Sequence, residues 1–243
     1  MVCLDISFPT PQENILFDEA LLALAEKGKQ PETLRFWESE NFFVVLGRIC
    51  KYDEDIKDEN VRKDNILVVR RSSGGGTVVQ GKGCLNYSLI LSKEQNPQIF
   101  DLKKSYQFIL GKIISALEIL GVQATFEPIS DLAFTVSRKK FSGNAQKRGK
   151  KFILHHGTLL YDFDTQKIER YLNIPPAVPE YRQGRSHLEF VDNLPLAREP
   201  LKKALKKIFN VDREFYSLTV LQQQSLNHLL NSKDIIVDGS IEK

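Results

Sequence analysis

The run Arg70-Arg71-Ser72-Ser73-Gly74-Gly75-Gly76-Thr77-Val78-Val79 lies between two apolar segments that are typical of strands, residues 66–69 and 85–91. Three consecutive glycines bring no side chain to a core and cost backbone entropy on folding. Such a run is expected where the backbone lies flat against a ligand. Its N–H groups could hold a carboxylate or a phosphate beside the two arginines. A tight turn between strands is the alternative for the glycines alone.

The two arginines favour the ligand interpretation. Because side chains alternate along a strand, one of Arg70 and Arg71 is expected to point inward, where a buried guanidinium needs an anion or a carboxylate. The run differs from the usual phosphate loops, since it contains neither GxxxxGK[ST] nor a GxGxxG that opens a helix. Its glycines open into a strand instead.

Composition and length indicate an ordinary globular protein. The chain has 243 residues, 42% hydrophobic and 27% charged, which suits one large domain or a main domain with a small appendage. Its basic and acidic residues nearly balance, with a formal net charge of +3, so general binding to nucleic acid is not implied. Cys3, Cys50 and Cys84 are far apart and odd in number, which favours neither a disulfide framework nor zinc and indicates a reduced compartment.

The N-terminus lacks the basic start and apolar segment of a signal peptide, and no apolar stretch approaches the roughly 20 residues that cross a bilayer. A soluble, cytoplasmic protein without a membrane partner is therefore expected.

Hydrophobic periodicity predicts helices over residues 11–27, 103–120, 198–209 and 217–231, and strands over 34–37, 42–47, 65–70, 85–92, 124–127, 131–136 and 152–161. These elements do not alternate as regular βαβ units, so the expected fold is α+β, a mixed β-sheet flanked by helices. The chain becomes irregular around Pro175, Pro176 and Pro179. We therefore expect a main domain over residues 1–185 and a short helical extension over 186–243 that packs on it, with the last ten residues loose.

A second candidate segment is Arg138-Lys139-Lys140-Phe141-Ser142-Gly143-Asn144-Ala145-Gln146, within a basic stretch that ends at Lys151. A solvated basic hairpin is the simpler explanation. However, apolar and small residues interrupt the charges at alternate positions, which suggests a backbone close to a ligand. Lys140 could then neutralise a phosphate or a reacting carboxylate.

The third and fourth candidates are His155-His156-Gly157-Thr158 and Asp131. Adjacent histidines on a strand face opposite sides, so they are poorly placed to share a metal, and one core histidine is the alternative explanation. Asp131 begins a predicted strand. It is either a loop anchor or a ligand of Mg²⁺ carried on phosphates.

Taken in order, Arg-Arg-x-Ser-Gly-Gly-Gly, Lys-x-Ser-Gly-x-Ala and His-His-Gly-Thr-Leu-Leu resemble the lipoate–protein ligase A family, over about residues 10–190. The resemblance implies the catalytic fold that this family shares with biotin–protein ligases and octanoyltransferases. It also implies that ATP, with Mg²⁺, activates lipoate or octanoate to an acyl-AMP. The acyl group then passes to a lysine of a lipoyl carrier domain, such as the glycine cleavage H protein or a 2-oxoacid dehydrogenase E2 domain.

The same resemblance assigns roles to residues. Lys140 is implied as the catalytic lysine, Arg71 as a contact of the phosphate or carboxylate, and Asp131 as the Mg²⁺ neighbour. The other implied substrate- and adenylate-binding positions are Ser73, Gly74, Gly75, Gly76, Thr77, Val78, Ser142, Gly143, His156, Gly157 and Thr158. An apolar tunnel for the acyl chain is expected among the strand residues Val44, Leu46, Val78, Leu89 and Leu159.

Two departures from the family pattern keep alternatives open. Gln80 stands where the best-known ligases have a histidine, and only about fifty residues follow the proline-rich break. The resemblance therefore leaves room for a separate accessory protein.

The main alternative is an octanoyl or lipoyl transferase that works without ATP through a cysteine thioester. Residues 126–130 and 152–154, where related transferases carry that cysteine, contain none, and Cys84 is expected to be a buried structural thiol. A non-catalytic binding protein of the same fold, a biotin ligase and a nucleic-acid binder built on residues 138–151 are further alternatives. The last leaves the glycine run and the histidine strand unexplained.

Overall fold

The computed structural model of the chain describes residues 1–175 and 178–239. Its strands are β1 (Val2–Asp5), β2 (Thr33–Trp37), β3 (Phe43–Leu46), β4 (Leu67–Arg70), β5 (Val78–Gln80), β6 (Cys84–Ser92), β7 (Ala124–Glu127), β8 (Asp131–Phe134), β9 (Lys140–Arg148), β10 (Phe152–Leu160) and β11 (Arg213–Phe215). Its α-helices are α1 (Pro11–Glu26), α2 (Tyr52–Asp55), α3 (Asp58–Lys63), α4 (Leu102–Ile119), α5 (Gln166–Tyr171), α6 (His187–Phe190), α7 (Arg198–Ile208) and α8 (Val220–Ser232).

Within the described ranges the strands form two mixed sheets. The large sheet has the order β11-β1-β2-β6-β10-β9-β8-β7, in which β1 runs parallel to both neighbours and the remaining pairs are antiparallel. The small sheet has the order β4-β3-β5. The glycine run connects β4 to β5, so it leaves one edge of the small sheet and returns at the other.

Helices cover both faces of the large sheet, and the alternation of β6 shows how. Leu85, Leu89 and Leu91 share an apolar core with α4 and α7, whereas Ile90 packs with α1 and α8. Every residue of β6 is buried, as expected for a central strand between two helical layers. The predicted mixed sheet flanked by helices is therefore confirmed.

Local signals in the sequence account for the two long helices. Thr10 and Glu13 form a capping box at the start of α1, and Pro11 occupies its first turn. Asp101 caps α4 by accepting a hydrogen bond from the backbone N–H of Lys104. Gly121 follows α4 with a φ of 80°, the left-handed conformation that glycine adopts at helix ends.

A buried ion pair joins α1 to the sheet. Arg35 on β2 has no exposed surface, and its Nη1 lies 2.6 Å from Asp18 Oδ1 on α1. Ser88 on β6 donates a hydrogen bond to the other oxygen of the same carboxylate, at 2.6 Å. Arg35 on β2 and Ser88 on β6 thus bind the same carboxylate, and these contacts fix the position of α1 over the sheet.

The extension is integrated into the rest of the molecule. Strand β11 pairs with β1, α7 packs on α4, and α8 packs on α1. The division at residue 185 stays a prediction. Among the described residues, no helix combines the length and hydropathy needed to cross a membrane.

The expectation of a loose C-terminus is wrong for residues 235–237. Ile235 accepts a hydrogen bond from the backbone of Arg70 at 2.8 Å, Ile236 forms a bridge with Val69, and Val237 donates to Val68 at 2.9 Å. The segment satisfies the free edge of β4, which would otherwise be unpaired. Pro176 of the predicted irregular connection and residues 240–243 lie outside the described residues.

The sequence-based element assignment also missed β1, β9, β11 and several short helices. The predicted strand over 131–136 ends at Phe134.

Candidate active site

The glycine loop, residues 72–77, folds around the side chain of Arg71, the residue that precedes it. Arg71 is only 7% exposed, and its Nη2 donates to the carbonyls of Gly74 at 2.8 Å and Gly76 at 2.7 Å. Burial lowers the pKa of this guanidinium to about 10. Carbonyl oxygens of the loop thus satisfy the hydrogen bonds of the guanidinium, and the expectation that an anion pairs with its charge stays a prediction.

The backbone of the loop has one packed side and one open side. A Cβ at Gly47, in the turn after β3, would clash with the carbonyl of Gly75, so the close approach requires glycine. The neighbouring Arg48 N–H donates to Ser73 O at 2.9 Å. In contrast, a Cβ at Gly74 or Gly76 would meet no atom within 4 Å. Backbone at these two positions therefore faces open space that a ligand could fill.

Two histidines on β10 serve opposite faces of the sheet, as strand alternation predicts. His156 Nε2 lies 2.7 Å from Ser73 Oγ, which ties the glycine loop to β10. Burial and then the charge of Arg71 lower the pKa of His156 to about 3, so its ring is neutral near neutral pH. His155 points to the α4 side, stacks on Tyr87 and pairs with Gln146 at 3.1 Å.

Lys140 and Asp131, both predicted as site residues, form an ion pair. The distance from Lys140 Nζ to Asp131 Oδ1 is 2.8 Å, and Tyr181 donates a hydrogen bond to Asp131 Oδ2, also at 2.8 Å. A Cβ at Gly143 would lie 3.1 Å from Lys140 Nζ, so the glycine leaves room for the ammonium group. Among the described residues no group of three or more His, Cys, Asp or Glu side chains is arranged to hold a metal.

Asn144 is a central residue that the sequence-based reasoning missed. Its Nδ2 donates to the carbonyl of Ser130 at 2.8 Å, and its Oδ1 accepts from the hydroxyl of Tyr87. A Cβ at Gly157 would clash with Asn144 Oδ1 and approach the Tyr87 hydroxyl. Gly157 therefore contributes by its lack of a side chain. The sequence did contain a sign of this role, because small residues at alternate positions of the 138–146 segment predict a close approach of the backbone.

The buried carboxylate of Glu19, on α1, lies next to the glycine loop. Glu19 Oε2 is 3.1 Å from Lys147 Nζ and 2.6 Å from Lys233 Nζ, and Lys147 also donates to Ser72 at 2.8 Å. Burial alone would raise the pKa of Glu19, but hydrogen bonds, led by that from Lys233, hold it below its usual range. The C-terminal segment is thereby connected to the glycine loop.

Residues of the glycine loop and of strands β5, β8, β9 and β10 surround a cavity of about 120 Å³. Ten of the fourteen predicted site residues line it: Arg71, Gly76, Thr77, Val78, Asp131, Lys140, Gly143, His156, Gly157 and Thr158. The other four, Ser73, Gly74, Gly75 and Ser142, lie outside the lining. Further lining residues, not predicted, are Ile15, Trp37, Val45, Gln80, Asn86, Ser130, Asn144 and Ala145.

The predicted apolar tunnel is largely wrong. Val78 lines the cavity, but Val44 and Leu46 are buried in one apolar core, and Leu89 and Leu159 in another. On β3 it is Val45, with the opposite side-chain direction, that faces the cavity.

Gln80 occupies the cavity wall beside β6. Its Oε1 accepts hydrogen bonds from Asn86 Nδ2 at 2.9 Å and Cys84 Sγ at 3.2 Å. Burial raises the pKa of the Cys84 thiol. Cys84 lies outside the cavity lining, as expected for a structural thiol. The half-buried Cys50 is nearer to the loop, with its Sγ 3.5 Å from Gly75 O.

Comparison with known proteins identifies the family of the chain. The family described as the lipoyl protein ligase A/B catalytic domain matches residues 10–208. The chain belongs to this family. The family named from the sequence motifs is therefore confirmed.

Relatives at the sequence level carry names from both reaction types. A probable lipoate-protein ligase A of Mycoplasma pneumoniae is 34% identical over 164 residues, which are 68% of this chain and 46% of that protein. The chain thus spans about half the length of this relative. Octanoyltransferase LipM of Halalkalibacterium halodurans is 28% identical over 254 residues and 92% of each chain.

Solved structures support the fold. A bipartite lipoate protein ligase from Thermoplasma acidophilum, solved in a study that includes its E2 lipoyl domain, has a TM-score of 0.80 at 22% identity. The match covers 95% of this chain and 92% of that one. A lipoate-protein ligase A bound with ATP has a TM-score of 0.79, also at 22% identity, and covers 95% and 94%.

Proposed function

We propose that the chain is an ATP-dependent lipoate–protein ligase. It would convert lipoate or octanoate to acyl-AMP and transfer the acyl group to a lysine of an apo lipoyl carrier domain. The observation that carries the proposal is the composition of the cavity: Lys140 and Arg71 lie on one lining with the glycine-loop backbone. Among the described residues that line the cavity, none is a cysteine.

The first step joins two anions, which explains the two cations. An oxygen of the acyl carboxylate attacks the α-phosphorus of ATP, and pyrophosphate leaves. Lys140 and Arg71 offset the repulsion between the reactants and stabilise the negative charge that spreads in the transition state. The open backbone at Gly74 and Gly76 fits an anionic ligand, since no side chain intervenes. Mg²⁺ carried on the phosphates of ATP would neutralise part of their charge, whereas both oxygens of Asp131 are engaged by Lys140 and Tyr181 and do not fit a metal ligand.

The second step requires no nucleophile from this chain. The amine of the acceptor lysine attacks the acyl carbonyl, the amide bond forms, and AMP leaves with the former carboxylate oxygen. Apolar lining from Ile15, Trp37, Val45 and Val78 suits an acyl chain. Exclusion of water by these side chains protects the mixed anhydride from hydrolysis.

The proposal includes the partners. Lipoyl carrier domains, either the glycine cleavage H protein or E2 domains of 2-oxoacid dehydrogenases, would supply the acceptor lysine. The reaction would take place in the cytoplasm, a setting that suits the free thiols of Cys3, Cys50 and Cys84, with no nucleic-acid or membrane partner.

The test uses the purified chain with ATP, Mg²⁺, lipoate and an apo lipoyl domain. Pyrophosphate release and the mass of the lipoyl domain are followed. Lys140→Ala is expected to lower the rate by about a hundredfold or more. Lys139→Ala, which removes the adjacent lysine and its contact with Asp192, is the matched control and should retain the wild-type rate. Full activity of Lys140→Ala with an unchanged melting temperature would contradict the proposal.

The second candidate is an ATP-independent octanoyltransferase. Its support is the LipM relative, matched over 92% of both chains, together with Cys50 beside Gly75. A cysteine thiolate would displace the carrier thiol from an octanoyl thioester, and the acceptor lysine would then displace the cysteine.

Octanoyl transfer without ATP that is lost in Cys50→Ser or Cys84→Ser would establish the transferase and reject the ligase. Under the ligase proposal both variants retain ATP-dependent activity. Binding of lipoate without either reaction would indicate a non-catalytic protein.

A further inference from the structure

The segment after the proline-rich connection encloses the start of β9, where Lys140 lies. Val191 forms a parallel bridge with Lys140, and the backbone N–H of Asp192 donates to Lys140 O at 2.9 Å. Arg185 Nη2 donates to Tyr181 O at 2.8 Å and to Arg138 O at 3.1 Å. The backbone on both sides of Lys140 is therefore held by residues that follow the connection.

Side-chain contacts extend this enclosure to the ammonium group. Tyr181 donates to Asp131 Oδ2 at 2.8 Å, and Asp131 Oδ1 lies 2.8 Å from Lys140 Nζ. Both carboxylate oxygens are thus engaged, one by each partner. The ring of Tyr181 is buried and packs against Phe190, with ring centroids 5.1 Å apart. A phenol held by its ring fixes the rotation of the carboxylate that it contacts.

Protonation favours the same arrangement. Burial and then the charge of Asp131 raise the pKa of the Tyr181 phenol, which therefore stays a hydrogen-bond donor over the working pH range. Asp131 accepts this bond through one oxygen while the other faces Lys140.

We propose that Tyr181 is a positioning residue for Lys140. Its hydroxyl orients the carboxylate of Asp131, and this carboxylate holds the ammonium group of Lys140 at the cavity. The inference rests on the proposed function only in that Lys140 acts on the substrates. Residues that follow the proline-rich connection, from Tyr181 to Asp192, thereby take part in aligning the site.

The test compares Tyr181→Phe, which keeps the ring and removes the hydroxyl, with Tyr171→Phe as a matched control. Tyr171 is also buried and also donates to a carboxylate, that of Asp64 at 2.9 Å, but Asp64 pairs with Arg170 and lies outside the cavity lining, whereas Asp131 is part of the lining. Both changes remove one phenol–carboxylate hydrogen bond, so a general loss of stability would affect them alike.

Two readouts are measured. In the pyrophosphate assay, kcat of Tyr181→Phe is expected to fall about tenfold while KM for lipoate changes less than about twofold, because binding groups are intact and alignment is lost. Without substrates, the rate of acetylation of Lys140 by acetic anhydride is followed by mass spectrometry. Because an ammonium group that is no longer held against the carboxylate is more accessible to the reagent, this rate should rise about threefold, towards that of Asp131→Asn. Tyr171→Phe should match the wild type in both measurements.

Acetylation of Lys140 at the wild-type rate in Tyr181→Phe, together with faster acetylation in Asp131→Asn, would overturn the inference. This readout needs no turnover, so it decides the role of Tyr181 even if the wild-type chain fails to release pyrophosphate. Failure of turnover would count against the proposed ligase reaction alone. Should Tyr181→Phe fail to fold, Tyr181→His, which restores a ring donor, takes its place under the same criteria.

Discussion

His155 makes the folded protein sensitive to acid in a way that can be measured. The side chain has no exposed surface and lies between the rings of Tyr87 and Tyr106. Its Nδ1 pairs with Gln146, whereas its Nε2 has no hydrogen-bond partner among the described residues. Burial, and then the neighbouring His156, lower the pKa of His155 to about 3. Protonation of the folded protein at this position is therefore unfavourable.

The sign and size of the effect follow from proton linkage. Below its pKa of about 6.5 the unfolded histidine binds a proton, whereas folded His155 does not. Stability is therefore complete above about pH 6.5 and is lost as the pH falls towards the folded pKa. At about pH 5, roughly 97% of the unfolded histidine is protonated, which costs the folded state about 2 kcal/mol relative to pH 7.5. Any folded pKa below about 4 leads to the same figure.

The assay is urea unfolding of the wild type and His155→Phe at a series of pH values between about 7.5 and 5. Phenylalanine suits the aromatic surroundings and cannot titrate, so the acidic groups and the other histidines contribute equally to both proteins. The difference in free energy of unfolding between the two should shift by about 2 kcal/mol in favour of the variant as the pH falls. A difference that stays constant within about 0.5 kcal/mol across this range would refute the reasoning.

Three further changes test the packing and charges around the site. Gly157→Ala places a methyl group against the buried asparagine opposite it, so we expect a loss of about 1–3 kcal/mol in unfolding free energy and a lower rate of acyl transfer. Normal stability and rate would show that this contact can relax. Arg35→Met leaves the carboxylate of Asp18 without its charge partner, and urea unfolding should show a loss of about 3–5 kcal/mol. A loss below about 1 kcal/mol would mean that the carboxylate becomes protonated or solvated at little cost. Lys233→Ala should cost less than about 1 kcal/mol, because Glu19 keeps a second lysine partner and Lys233 is partly exposed. A larger fall in melting temperature would indicate that the C-terminal segment detaches.

Much of the site could be predicted because its residues are close in sequence and their chemistry is local. Three consecutive glycines, Gly74 to Gly76, predict that the backbone closely approaches a ligand or another segment. His155 and His156 face opposite sides by strand geometry alone, and Gly121 ends α4 in the conformation that glycine permits. These features depend on the backbone of a few consecutive residues, which is the level at which sequence patterns are informative.

Other parts of the site depend on which elements meet. Tyr181 and Asp131 are fifty positions apart, and a tyrosine after a proline-rich stretch carries no local sign of that contact. Gly47 is required because the glycine loop packs on it, again through a long-range approach. The carbonyls of Gly74 and Gly76 accept hydrogen bonds from Arg71 only because the loop folds back over the guanidinium, which the sequence alone does not show.

Strand β3, which was expected to line the acyl tunnel, shows the same difference between what is local and what is long-range. Alternation along β3 separates Val44 and Leu46 from Val45, and this much follows from the sequence. Which of the two sets faces the cavity depends on where the small sheet packs against the large one, and the structure selects Val45. The family, the mixed sheet and the motif residues are thus encoded locally, in backbone geometry and residue type. The lining of the cavity and the contacts that align Lys140 arise only when distant segments pack, because their energies come from long-range burial and hydrogen bonding.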